Sequence, residues 1–111
     1  MMNLSSIYHI FKKVYVKSDM NEDLYIAAKQ ISQHLVYARE IEIYNELIYK
    51  DEKNDKISIC LDDNRIVKTP GFEIFAFNVD DLDFKIKNNF LYMIIERDHH
   101  HFQFLIGSDL P

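Results

Sequence analysis

The stretch that decides the fold is Asp81–Phe104, "DLDFKIKNNFLYMIIERDHHHFQF". Apolar and polar residues alternate along it, and successive side chains of a strand leave opposite faces, so the period of two predicts strands. Asn88-Asn89 and Asp98-His99 interrupt the pattern as short hairpin loops, made mostly of residues that tolerate turn geometry. A two-residue loop at Asn88-Asn89 sets Lys87 opposite Phe90, and then Ile86 meets Leu91, Phe84 meets Met93 and Leu82 meets Ile95. A second loop at Asp98-His99 sets Ile95 opposite Phe102 and Met93 opposite Phe104. Both hairpins independently commit Met93 and Ile95 to the same apolar face. A slip of one residue would turn every side chain over, so the agreement is evidence for the register.

The other face of these strands is mixed. Asp83 lies beside Ile94 and Gln103, Lys85 beside Tyr92 and Leu105, and His101 opposite Glu96. Aromatic and aliphatic groups set among acids suit a binding surface, and a helix covering the face would account for them equally well.

Working outward, the same grammar runs upstream. Strands are expected over 56–61, 65–69, 72–78, 81–87, 90–96 and 101–106, with turns at Asp62-Asp63-Asn64, Pro70-Gly71 and Val79-Asp80. Before residue 50 the period changes. Leu24, Ala27, Ala28, Ile31 and Leu35 form a helical stripe over 22–37, with Glu22 and Asp23 at the positive end of the dipole. Ile7, Ile10, Phe11 and Val14 form another over 5–17. Between them and the strands, "AREIEIYNELIYK" (38–50) satisfies both periods; its Glu, Ala and Leu content favours a third helix. The expected architecture is α+β, a single domain over 1–111, with two or three N-terminal helices packed on an antiparallel β-meander of five to six strands.

Composition narrows the function. The 111 residues contain two Gly and two Pro, too few for a glycine-rich phosphate loop. One cysteine, Cys60, makes no intramolecular disulfide, and with neither a signal peptide nor a long apolar run the expectation is a cytoplasmic protein without membrane contact. The net charge of −5 is uneven: residues 1–35 carry +1 and residues 36–111 carry −6. That field repels nucleic acid and attracts basic proteins.

Three histidines in a row, His99 to His101, raise the question of a metal. In a regular strand His100 and His101 point to opposite faces, so only His99 and His101 could share an ion, with Glu96 or Asp98 as a further ligand. No supporting ligand spacing occurs elsewhere, and the run reads as a hairpin tip without cofactor. Asp83-Phe84-Lys85 has the local spacing of an acid–lysine nuclease motif, and Asp62 or Asp63 would be its upstream acid. No serine or cysteine nucleophile motif accompanies it.

These features favour a non-enzymatic, protein-binding inhibitor: a bacterial immunity protein or antitoxin that neutralises a basic nuclease-type toxin, itself a monomer or weak homodimer. The expected contacts are Asp62, Asp63, Asp80, Asp81, Asp83, Tyr92 and Glu96. The alternatives are a metal-dependent nuclease-like enzyme using Asp83 and Lys85, or a regulatory or structural subunit.

Overall fold

The structure, a computed structural model, describes residues 21–108. One helix, α1 (Glu22–His34), runs into a 3₁₀ turn at Leu35–Tyr37. Eight strands follow: β1 (Arg39–Ile43), β2 (Leu47–Lys50), β3 (Lys56–Asp62), β4 (Arg65–Thr69), β5 (Glu73–Ala76), β6 (Asp81–Lys87), β7 (Phe90–Arg97) and β8 (His100–Gly107). They form two antiparallel sheets, β1-β2-β3-β4-β5 and β6-β7-β8, in which every neighbour in space is also a neighbour in sequence. No helix among the described residues is long and apolar enough to cross a membrane.

The register deduced for the C-terminal hairpins holds at every pair named for it, and the β7–β8 ladder shifts only beyond them, between Leu91 and Tyr92. Lys87 pairs with Phe90, Phe84 with Met93 and Leu82 with Ile95; Ile95 pairs with Phe102 and Met93 with Phe104. Leu91, Met93 and Ile95 are fully buried, and they join Leu47, Ile59 and Ile66 of the larger sheet and Leu24, Ala27 and Ile31 of α1 in one apolar core. The small residues Ala27 and Ala28 of α1 are buried on its inward face, as the stripe predicted. The expected helix over 5–17 lies outside the described residues.

Two expectations are corrected. Residues 38–50 are not a helix but the hairpin β1–β2, which brings the strands among the described residues to eight rather than five or six. In this hairpin Leu47 and Tyr49 alternate into the core, opposite Ile59 and Ile57 of β3. That pairing buries two large side chains that a helix with Tyr37, Ile41, Tyr44 and Ile48 inward would have left out, and packing overrides the modest helix propensity of the segment. The second correction is that the meander breaks between β5 and β6, where the chain leaves one sheet to begin the other.

Candidate functional site

The break between the sheets positions the most notable surface of the molecule. Two acidic turns that are distant in sequence are tied together there. Asn64, in the β3–β4 turn, donates from its side-chain amide to the Val79 carbonyl at 3.0 Å. The Val79 amide in turn donates to the Asn64 carbonyl at 2.9 Å. The turn carrying Asp62 and Asp63 is thereby docked on the connector carrying Asp80.

Asp80 donates its amide to the Glu96 carbonyl at 2.8 Å, while Asp81 is the ladder partner of Glu96. Asp80 is thereby held at the end of the ladder, immediately before β6 begins. One Asp80 carboxylate oxygen accepts the Asp98 amide at 2.8 Å, which fixes the β7–β8 turn against the connector.

Beneath this lies Arg97, a charged side chain in the core, only 8% exposed. Its guanidinium makes a two-pronged contact with Asp23 at the start of α1, with both bonds at 2.8 Å. It also donates to the carbonyls of Phe77 at 2.6 Å and Asn78 at 3.0 Å. The charge is thus matched by a planar fork of acceptors, as a buried guanidinium requires. The Arg97 hydrogen bond and charge hold the Asp23 carboxyl below the usual carboxylate range, against the opposing effect of its burial.

Around this pair opens a cleft of about 1020 Å³. Glu22, Asp23, Asp80 and Asp98 supply its acids, and Ile26 and Phe77 supply apolar surface, 47% and 57% exposed. Carboxylates interspersed with exposed apolar groups can take a basic side chain by both ends: the aliphatic stem on Phe77 or Ile26, the cationic head among the acids.

The residues expected from sequence fall into two groups. Asp80 lines the cleft, and the turn of Asp62 and Asp63 is docked on the same connector. Asp81, Asp83, Tyr92 and Glu96 instead share the outer face of the β6–β8 sheet. There Tyr92 and Glu96 are half-buried, and Glu96 stands 3.5 Å from His101. Asp81 and Asp83 turn their carboxylates onto the amides of Leu82 and Phe84, at 3.0 Å and 2.9 Å. Asp62 stands 3.6 Å from Arg65.

His99 occupies the turn, and the His100 ring, in the tautomer with its proton on Nδ1, donates from Nδ1 to the Asp98 carbonyl at 2.9 Å. Among the described residues no three His, Cys, Asp or Glu side chains converge on a point where a metal ion would sit. Burial raises the Cys60 thiol above its ordinary range, which disfavours the thiolate.

Glu22, Asp23, Ile26, Phe77 and Arg97 were not among the residues expected from sequence. The only signal for them was the acidic start of α1, which reads as dipole compensation. Comparison with known families, with curated proteins and with solved structures finds no match for this chain.

Proposed function

We propose that the chain is a non-enzymatic inhibitor that binds a basic protein, in the manner of an immunity protein or antitoxin masking the nucleic-acid-binding surface of a nuclease-type toxin. What supports the reading above all is the cleft, where Glu22, Asp80 and Asp98 surround the exposed Phe77 and Ile26. Its acids are part of a chain of net charge −5, so long-range attraction and short-range anchoring act on the same partner. The docked turn of Asp62 and Asp63 extends the acidic rim.

The test is capture from a lysate of the source organism by the full chain, at low and moderate salt, followed by a nuclease assay on the captured protein. The expected result is a basic nuclease whose activity falls to background at one equivalent of this chain. A variant with Glu22→Gln and Asp98→Asn should associate at least tenfold more slowly at low salt, with the difference shrinking as salt rises. A captured protein whose activity this chain leaves intact, or one bound equally fast by the variant, overturns the reading.

A further inference from the structure

Strand β6 forms one edge of the three-stranded sheet. Because Lys87 and Phe90 flank a two-residue loop, they are a hydrogen-bonded pair, as are Lys85–Tyr92, Asp83–Ile94 and Asp81–Glu96 at alternate positions. The amides and carbonyls of Leu82, Phe84 and Ile86 therefore point away from β7, along the edge. Consistent with this, the Leu82 and Phe84 amides are met by the carboxylates of the residues before them, Asp81 and Asp83. Lys85, which precedes Ile86, has no acceptor to offer, and Ile86 is 49% exposed.

The sequence of this edge is "DLDFKIK", a charge palindrome centred on Phe84. Laid antiparallel against itself with Phe84 opposite Phe84, it sets Asp81 against Lys87, Asp83 against Lys85 and Leu82 against Ile86. The pairs Phe84–Phe84 and Leu82–Ile86 are those whose backbone groups already point outward, so this register is also the one that makes ladder bonds. On one face the two strands exchange ion pairs; on the other, Leu82 covers the exposed Ile86. The strand carries two acids and two bases, so pairing places no like charges opposite each other, although the whole chain is acidic.

We propose that β6 is a pairing edge for a second copy of this chain, which extends the two three-stranded sheets into one continuous antiparallel sheet across a two-fold axis. Asp81 and Asp83 serve it in two states. In the single chain they cap outward amides, as edge strands require. In the pair they release those amides to the partner's carbonyls and turn to its lysines. The interface is isologous, as closed dimers require. It uses none of the residues that line the acidic cleft and does not depend on the inhibitor reading.

Sedimentation of the full chain over a range extending to millimolar concentration, at low salt, tests this. Wild type should shift from 13.3 kDa to twice that mass. Asp81→Lys with Asp83→Lys, and separately Lys85→Asp with Lys87→Asp, should each be monomeric; mixed, they should form a one-to-one pair. Exchange of the wild-type amides of Leu82, Phe84 and Ile86 should slow at least tenfold as concentration rises, a readout that needs no variant. A wild type monomeric throughout, variants that dimerise like wild type, or edge amides indifferent to concentration each overturn the proposal.

Discussion

Asp98 and His99 sit at the two central positions of the β7–β8 turn with φ of 51° and 66°. The β3–β4 turn has 53° and 61° at Asp63 and Asn64, and the β6–β7 turn 54° and 66° at Asn88 and Asn89. All three are two-residue loops with both residues left-handed, the geometry that matches strand twist and favours Asn, Asp and Gly. Five of these six positions carry Asn or Asp, which is why the hairpins were legible from residue types alone. His99 is the exception, held left-handed without the glycine that would adopt it at no steric cost. His99→Gly should stabilise the protein by about 0.5–1 kcal/mol, whereas His100→Gly, one position later in a strand, should destabilise it by a similar amount. Thermal unfolding of the two variants checks this, and melting shifts of the same sign would contradict it. Arg97 shows the opposite limit. It directly precedes the deduced Asp98-His99 loop, yet its acceptors come from residues 23, 77 and 78, which no local pattern brings together.

At the scale of elements, β6 to β8 were readable because two hairpins share the middle strand and each checks the other's register. The β1–β2 hairpin was not, because Glu40-Ile41-Glu42-Ile43 alternates while Tyr37, Ile41, Tyr44 and Ile48 recur at helical spacing. Tertiary pairing with β3 decides the matter, and that lies outside the segment. The two readings bury different residues, so they differ in which truncations matter. Leu47 is fully buried and Tyr44 is 65% exposed. Leu47→Ala should cost about 2–5 kcal/mol, and Tyr44→Ala no more than about 0.5 kcal/mol. Denaturant unfolding measures both, and a reversed order would restore the helix. A bulge with Glu40 at φ 54° makes the first of these strands harder still to read from its residues, since it interrupts the regular pairing between Arg39 and Glu42.

At the scale of the whole molecule, the Asp23–Arg97 pair joins the start of α1 to the last hairpin and to the connector between the sheets. The candidate cleft was illegible for the same reason: its walls come from α1, the connector and the β7–β8 turn, and the sequence singled out Asp80 but not what faces it. Asp23 makes the pair sensitive to acid. Its folded pKa lies below the unfolded value, so its contribution is complete above the unfolded pKa and is lost as pH falls through the folded one. Asp23→Asn should lower stability near neutrality by about 1–2 kcal/mol, a figure discounted because the carboxylate is half exposed. The variant should also lose less stability than wild type between about pH 5 and the acid limit, as denaturant titrations at several pH values will show. An acid profile identical to wild type would remove the pair from the account.

The strictly sequential strand order has a consequence for how the molecule forms. Each hairpin closes over a handful of residues, so the chain can find most of its native pairings by short-range search, which favours rapid folding. The tie between Asp23 and Arg97 spans 74 residues and belongs to the end of that search rather than its beginning. The Asp23→Asn variant should therefore refold at the wild-type rate and unfold faster. What the distant ion pair sets is how long the structure lasts once made.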